Sequence, residues 1–500
     1  MTASEIKSPE ELNYARPLDV HTWSGYPEVN RFIDNIHDNH FSDPLSNIRK
    51  KHLKVVLLDL YVAWVGDPNL CIAIHMNERK YRSKTRYNTL HISKTTISVV
   101  KALTKLGLIY SHPGFHDRRE GGLGRVSRIW PSERLIQHFR KARFSIFAIN
   151  YHEDRECIVL RDENKKDIEY EDTPETRSMR EVLSSYNRLL RDTHIDCSHL
   201  DQPYVSKKDG SCTQINQNKK FVRRVFNNSS WKQGGRFYGG WWQQIGSDNR
   251  SGIRINGKRT IEIDYTGLHI VLLYARVGIN YFDHYGSSAD PYEITVPRIN
   301  DPVFTRWLAK TILLVAVNAP DETTAFRAIR QTVGDEGYRP KGLSLTDALL
   351  REVLDKLKDN HPLIKDSLCS GAGIDLQYTD SQITEQIIEY FTLINVPVLA
   401  VHDSYVIQED YADVLHDRMS MAWDKETPLK AGPREWLDTL SPQGTKAVQR
   451  GYVDELLVDD PEEHEKIIKM KEAQYVSKRY DDGLKAFRAW RSEKGVSNGI

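Results

Sequence analysis

Two short apolar runs that each end at an aspartate constrain the fold of this chain more than any other feature. Val398–Ile407 reads V-L-A-V-H-D-S-Y-V-I and predicts a hairpin with His402 and Asp403 at its tip. Within the run Ile261–Ala275, a second apolar strand is predicted to end at Asp264. Two strands that each deliver one carboxylate can hold a pair of divalent cations about 4 Å apart. The pattern predicts a Mg²⁺ site, because this ion combines a few carboxylate oxygens with phosphate and water.

Length and composition limit the class of protein. A chain of 500 residues predicts two or three domains, and 39% hydrophobic residues suffice to build their cores. No apolar run approaches the roughly 20 residues of a membrane span, and Met1–Pro17 is too polar for a signal peptide. The five cysteines include no C-x-x-C pair, which argues against a zinc site and a disulfide framework. We therefore expect a cytoplasmic protein with no membrane partner.

Positive charge is concentrated in one part of the chain. The formal net charge is only +1. Residues 78–143 nevertheless contain sixteen Lys and Arg against four Asp and Glu, which is +12, so the rest of the chain carries −11. A basic segment on a near-neutral protein predicts a nucleic-acid partner that is bound through its phosphates and released by salt.

Residues 47–144 predict a helical unit that ends in a two-stranded wing. His52–Val65 has the pattern of an amphipathic helix, and a second helix is predicted from the N-cap Ser93 to Gly107, which would end it. Two strands follow around a polar, glycine-rich loop. This order resembles the winged-helix domains of replication initiators and MarR-type regulators, although such domains also make protein contacts. The resemblance implies DNA contacts from the basic residues Lys94, Lys101, Arg118, Arg119 and Arg125.

The other predicted boundaries follow changes in element type. A lead-in at 1–46 precedes the basic unit, and 145–225 predicts a bridging or thumb-like region whose helix is capped by Thr173. Strands and long helices alternate from 226 to 455, as in an α+β catalytic domain. Residues 456–500 predict a charged helix or tail.

A glycine-rich segment precedes the first aspartate. Gly235 and Arg236 stand before an aromatic run that ends in Gln243 and Gln244. Glycine next to arginine lets the backbone and the guanidinium approach a phosphate closely. An aromatic hairpin in the core is the alternative interpretation of this segment.

A pair of cations lies between the two aspartates in sequence. Arg306 and Lys310 are four residues apart in a predicted helix over Val303–Val317, so they share one face and could bind a triphosphate. The alternative is an ordinary solvated helix face. Asp264 also has a structural alternative, as the N-cap of the apolar helix that follows it.

In this order and spacing, the motifs resemble the palm and fingers of family A DNA polymerases and of the related single-subunit phage and mitochondrial RNA polymerases. The resemblance covers about 221–420. It implies an α+β fold with an N-terminal winged helix-turn-helix and a family A-like polymerase palm and fingers domain. The matched motifs are G-R-F-Y at Arg236, D-Y-T (motif A) at Asp264, R-x-x-x-K (motif B) at Arg306 and Lys310, and H-D-S (motif C) at Asp403.

The resemblance also implies a role for each matched residue. Asp264 and Asp403 would bind two Mg²⁺ ions, or Mn²⁺ in their place, at the primer end and the triphosphate. Arg306 and Lys310 would neutralise the triphosphate, with Lys310 as the acid for the leaving pyrophosphate. The other implied contacts are to template or primer from Arg236 and Gln244, to the primer end from His402, and to the nucleotide from His269 and Asn318.

Several positions depart from the family pattern. His269 stands where motif A of the DNA enzymes has the glutamate that excludes ribose, and Asn318 replaces the motif B tyrosine. The choice between dNTPs and NTPs therefore stays open. A helix is predicted over Asp380–Tyr390 before motif C, and we interpret Asp380 as its N-cap rather than as a third carboxylate.

The sequence thus predicts a template-directed nucleotidyltransferase, a DNA polymerase or primase-polymerase. It would act on a DNA template and primer in the replication of a mobile element such as a plasmid or phage, together with a helicase or other replication proteins. A single-subunit RNA polymerase or primase, or an enzyme of untemplated terminal transfer, is the alternative among enzymes. A DNA-binding initiator or regulator with a degenerate polymerase domain is the non-catalytic alternative; the altered motif B favours it, and the two intact aspartates oppose it.

Overall fold

The computed structural model describes residues 6–41, 46–81, 84–116, 124–207, 211–265, 267–286, 289–336, 340, 342–427 and 476–495. It combines helices with sheets, as the predicted α+β class requires. Arg118, Arg119 and the motif A residue Thr266 lie outside these ranges, as do 456–475 of the predicted tail. No helix within the described ranges is both long and apolar enough to cross a membrane.

The N-terminal unit is built around one buried helix. Its elements are α1 (Pro9–Asn13), β1 (Ala15–Pro17), β2 (Thr22–Trp23), α2 (Pro27–His40), α3 (Asn47–Gly66), β3 (Cys71–Ile74), α4 (Thr95–Lys105), β4 (Ile109–His112), β5 (Phe115–His116), β6 (Gly124–Arg125), β7 (Ser127–Pro131), α5 (Glu133–Arg140) and β8 (Asn150–Tyr151). Every residue of α3 from His52 to Ala63 is buried, because α2, α4 and a sheet of order β1-β3-β7-β4 pack around it. β1 is parallel to β3, and the other neighbours are antiparallel.

Local sequence signals explain the end of α4. Gly107 follows the helix with φ +67°. Glycine adopts this conformation without strain, because it has no Cβ. Its N–H donates to the Thr104 carbonyl, and the Leu108 N–H donates to the Leu103 carbonyl, which is the Schellman pattern. β4 begins directly after this turn and pairs with β7. The chain therefore runs helix, strand, loop, strand, in the predicted order.

The central part contains two larger sheets. Its elements are β9 (Ile158–Arg161), β10 (Asp167–Ile168), α6 (Pro174–Arg191), β11 (Ile195–Cys197), β12 (Tyr204–Ser206), β13 (Cys212–Gln214), β14 (Arg223–Phe226), β15 (Gly234–Tyr238), α7 (Ser247–Arg250), β16 (Ile253–Ile255), β17 (Lys258–Asp264), α8 (Leu268–Arg276), α9 (Tyr281–Tyr285), α10 (Pro302–Asn318), α11 (Glu322–Glu336), α12 (Asp347–Asn360), α13 (Gly373–Leu393), β18 (Leu399–Val401), β19 (Ser404–Gln408) and α14 (Ala412–Glu426). The first sheet has the order β10-β9-β14-β15, and the second is an antiparallel sheet of order β11-β16-β17-β19-β18.

One hydrophobic core joins these sheets and extends from Cys157 to Trp423. β9 pairs in parallel with β14, so residues before and after position 225 belong to the same sheet. The predicted boundary between 145–225 and 226–455 lies inside β14. The central part is therefore one body.

A last helix, α15 (Lys478–Glu493), returns to both parts of the molecule. Arg479 makes two hydrogen bonds to Asp196 of β11, at 2.7 and 3.0 Å. Lys494, directly after the helix, pairs with Glu28 of α2 at 2.6 Å. α15 thus joins the N-terminal unit to the central part.

Candidate active site

The two predicted aspartates meet at one edge of the antiparallel sheet. β17 ends at Asp264, whose cross-strand neighbour is Ser404, the first residue of β19. Asp403 stands directly before Ser404, and its carbonyl accepts a hydrogen bond from the Tyr265 N–H at 3.2 Å. The alternative role of Asp264 as a helix N-cap is wrong, because Gly267 occupies that position before α8.

The turn that carries Asp403 has an unusual backbone. His402 and Asp403 form the two-residue connection between β18 and β19, and His402 has φ +58°. Glycine usually takes a positive φ at the first position of such a hairpin turn, because a Cβ there is unfavourable. A side chain kept in this conformation indicates that the surrounding structure holds the turn in one shape, as is common at functional sites.

Asp264 lies in an electrostatically unfavourable environment. Burial raises the pKa of its carboxyl group well above the usual range, and the nearby charges of Asp403 and Glu262 raise it further. Lys310 and Arg250 oppose this effect. The Oδ1 atom is buried and accepts no hydrogen bond from the described residues. An acceptor in this state would be stabilised by a cation.

Within the described residues, this pair does not belong to a larger metal-binding group. Among the described residues, no group of three or more His, Cys, Asp or Glu side chains is arranged to hold a metal. Glu262 is engaged elsewhere, since its Oε1 accepts from Arg250 at 2.7 Å and from Ser404 Oγ at 2.8 Å. Asp264 and Asp403 fit Mg²⁺, because this ion often takes only one or two protein carboxylates beside substrate phosphates. The Asp264 Oδ1 atom, which accepts no hydrogen bond from the described residues, could be one of its ligands.

A third aspartate lies in the same region, against expectation. Asp380 is not an N-cap, because α13 begins at Gly373 and Asp380 lies inside the helix. Its side chain is 1% exposed and pairs with Arg236 at 2.8 Å, while its Oδ1 has no partner among the described residues. Burial raises its pKa to about 6, and the charge of Asp403 contributes. The sequence did contain a signal, because Asp380 interrupts the apolar stripe formed by Leu376, Ile383 and Ile387.

Arg236 connects this aspartate to the helix after motif A. Besides Asp380, its guanidinium contacts His269 Nε2 at 2.9 Å. Burial and the charge of Arg236 lower the pKa of His269 to about 3, so the ring is neutral at neutral pH and its Nε2 accepts this hydrogen bond. Burial likewise lowers the pKa of His402. Sequence motifs had indicated both residues, but not the contact between Arg236 and His269.

The two cations of α10 occupy different positions. Both lie on an exposed face of the helix. Arg306 pairs with Asp290 at 2.5 Å, whereas Lys310 is close enough to Asp264 to lower its pKa. Both flank the ring of Tyr292, at 5.7 and 5.8 Å from its centre. Lys310 therefore belongs to the aspartate site, and Arg306 lies beside it.

The other predicted contact residues lie away from the aspartate pair. Asn318 ends α10, and its Oδ1 accepts from Gln377 at 3.2 Å near the start of α13. Gln244 is exposed on a 3₁₀ turn beside β18. In the N-terminal unit, Lys94 pairs with Glu78 at 2.9 Å. Two further cations complete the described set: Lys101, exposed on α4, and Arg125, over the ring of Phe115.

Comparisons with protein-family models and with curated proteins found no match to this chain. Its function is therefore inferred from the geometry of the site.

Proposed function

We propose that this chain is a template-directed nucleotidyltransferase, a DNA polymerase or primase-polymerase that acts in replication. The observation that supports it best is the pair Asp264 and Asp403 at adjacent strand ends, with Lys310 close enough to Asp264 to lower its pKa. Paired carboxylates with a nearby cation are the protein groups that phosphoryl transfer needs. In this proposal, the antiparallel sheet is the polymerase palm, α10 belongs to the fingers, and the N-terminal unit is a winged helix that binds DNA.

Each residue of the site would have a separate role in the reaction. Asp264 and Asp403 would hold Mg²⁺, or Mn²⁺, which supplies activation of the attacking hydroxyl and neutralisation of phosphate charge. Lys310 would contact the triphosphate and donate a proton to the leaving pyrophosphate. Arg236 is held between Asp380 and His269, so it can present its guanidinium to template or primer in one orientation. His402 would orient the primer end from the rigid turn.

Extension of a primed and an unprimed DNA template tests the proposal. The assay contains Mg²⁺ with dNTPs or with NTPs and compares the wild type with Asp403→Ala. We expect a product whose sequence follows the template and which the variant does not make. The preferred nucleotide and the need for a primer then identify a polymerase, a primase or an RNA polymerase.

Asp410→Ala is the matched control, because Asp410 follows the same strand β19 but is exposed and pairs with the exposed Lys258. Product independent of template would identify a terminal transferase. Absence of product from the wild type under every condition, with DNA binding retained, would contradict the enzymatic proposal.

One observation favours a non-catalytic initiator or regulator as the second candidate. Asp290 neutralises Arg306, Asn318 is tied to the start of α13, and His269 accepts a hydrogen bond from Arg236. Three of the four predicted nucleotide contacts therefore already have protein partners. Nucleotide binding that depends on Mg²⁺ and is lost in Asp264→Ala would separate the enzyme from this candidate.

A further inference from the structure

A cavity lies where the N-terminal unit meets the central part, and we call it the seam cavity. Its volume is about 220 Å³, and Arg16, Gln214, Lys219 and Gln244 are among the residues that line it. Arg16 comes from β1 of the N-terminal unit, and the others belong to the central part. Neither Asp264 nor Asp403 lines it, so a ligand bound in this cavity would be independent of the proposed catalytic function.

A second, smaller cavity lies behind the seam cavity. It has a volume of about 10 Å³, which is room for a single water, and Arg155 and Asp19 are on its wall. Arg16 and Lys219 line both cavities. The two cavities therefore share one set of charges.

These charges do not balance. Arg16 is neutralised, because its guanidinium makes two hydrogen bonds to the carboxylate of Asp59, at 2.7 and 2.8 Å. Of the remaining charges, Lys219 and Arg155 are positive and Asp19 is negative. Asp19 also accepts the N–H of His21 at 2.9 Å. The cavities thus carry one excess positive charge.

The two cations that remain lack acceptors. Within the described part of the chain, neither Lys219 Nζ nor the Arg155 guanidinium donates a hydrogen bond. Arg155 lies over the ring of Phe221, 4.0 Å from its centre, and the charge of Asp19 partly compensates it. Lys219 therefore carries the excess positive charge. Charged donors in a partly dehydrated cavity are unfavourable unless an anion compensates them.

The ionisation of these groups is consistent with a missing anion. Burial lowers the pKa of Lys219 and the charge of Arg16 lowers it further, and the opposing charges of Asp59 and Asp19 do not restore it. Burial also lowers the pKa of Arg155 and brings that of His21 to about 4, so the His21 ring is neutral at neutral pH. An anion next to Lys219 would favour the charged form of the lysine.

We propose that the seam cavity binds a phosphate group, with Lys219 as the direct charged contact and Arg155 as a source of positive potential behind it. The cavity is larger than a phosphate and has Gln244 exposed at its rim. It can therefore accept the phosphate of a nucleotide or one backbone phosphate of a nucleic-acid strand. Because the two parts of the molecule share its walls, the bound phosphate would also hold them together.

Titration calorimetry of the full chain in EDTA tests this site without any contribution from Mg²⁺. The probes are inorganic phosphate, 5′-dAMP and a short single-stranded DNA oligonucleotide. Lys219→Gln should weaken the binding of at least one probe about 10-fold, since a hydrogen bond between charged groups is lost. Arg155→Gln should have a smaller effect, and Lys219→Arg should retain affinity.

Lys207→Gln is the matched control, because Lys207 is exposed beside β12 and does not line the cavity. Thermal unfolding of each variant establishes that it is folded. If Lys219→Gln is not folded, Arg155→Gln provides a second test. Weakened binding of phosphate and dAMP assigns the site to a free phosphate or nucleotide. An effect confined to the oligonucleotide assigns it to a nucleic-acid strand. Equal affinities of the wild type and both glutamine variants, or no binding of any probe, would overturn the proposal.

Discussion

Asp59 in the N-terminal unit and Asp264 in the central sheet both have buried carboxylate oxygens, but their surroundings are opposite. Asp59 accepts two hydrogen bonds from Arg16 and further ones from Thr22 Oγ1 and the Asp19 N–H. Asp264 has a buried oxygen without a partner among the described residues, and its nearest charges include another aspartate.

The difference separates stability from function. A buried ion pair with all its hydrogen bonds made is a structural element, whereas a buried carboxylate left among like charges costs stability and is expected where a ligand completes the site. If this distinction is right, substitution of the two aspartates should have opposite consequences for activity and for folding.

The largest effect is expected from Asp264→Asn. Loss of a carboxylate that holds Mg²⁺ should lower the rate of template-directed extension at least about 10³-fold. The same change removes repulsion from Asp403, so the free energy of unfolding should stay equal or rise by about 1 kcal/mol. Extension rates and urea denaturation measure the two quantities. A variant that is both inactive and unstable would remove the contrast with Asp59.

Asp59→Asn should behave in the opposite way. It leaves the buried Arg16 without its counter-charge, so we expect a loss of about 3 kcal/mol in the free energy of unfolding. Urea denaturation measures this loss, and extension rates corrected for the folded fraction should equal those of the wild type. A lower corrected rate would mean that this pair also supports catalysis.

A buried histidine, His194, whose Nδ1 has no hydrogen-bond partner among the described residues, extends the comparison to pH. Burial and the charge of Lys220 lower the pKa of His194 to about 3, against about 6.5 in an unfolded chain. Below pH 6.5 the unfolded state therefore binds a proton that the folded state does not bind. The free energy of unfolding falls as the pH drops. At pH 5 this costs about 2 kcal/mol relative to pH 7.

His194→Gln should reduce this acid destabilisation when urea denaturation is measured at pH 7 and pH 5. Other histidines whose pKa is lowered by burial, His21, His52, His269 and His361, remain in the variant and keep part of the slope. An unchanged difference between the two pH values would show that His194 is not the group responsible.

The smallest effect on activity is expected from substitution of Asp380. This residue has one paired oxygen, as Asp59 has, and one unpaired oxygen, as Asp264 has. One of its oxygens pairs with Arg236, and the other has no partner among the described residues. Asp380→Asn keeps the shape but weakens the hold on Arg236, so the extension rate should fall about 10-fold. Because Arg236 is expected to bind template or primer, the change should appear mainly in the KM for DNA. An equal loss in kcat alone would place Asp380 in the chemical step.

Sequence signals predicted the parts of the fold that depend on neighbouring residues. The Thr173 cap fixes the start of α6, and Gly107 fixes the end of α4, because both act within one helical turn. The hairpin around Asp403 follows from two apolar runs on either side of a polar pair, and the strand before Asp264 follows from the run Ile261–Ile263.

Pairings between distant segments could not be predicted in this way. The parallel contact between β9 and β14 joins segments about sixty residues apart, and no local pattern specifies it. Similarly, Asp380 meets Arg236 only because α13 begins seven residues before it and packs on β15. Whether Asp380 is an N-cap or a site residue thus depended on where α13 begins. Sequence patterns locate such helix boundaries poorly.

The position of α15 has a consequence for the order of events during synthesis. Because this helix follows every other described element in sequence, the ribosome releases it last, when the N-terminal unit and the central sheet can already be folded. Its bonds to Glu28 and Asp196 then join two preformed bodies. Until that moment, the junction between the two parts would depend on their direct contacts, such as the hydrogen bond from Gln214 to Tyr14, and would lack the bonds of α15.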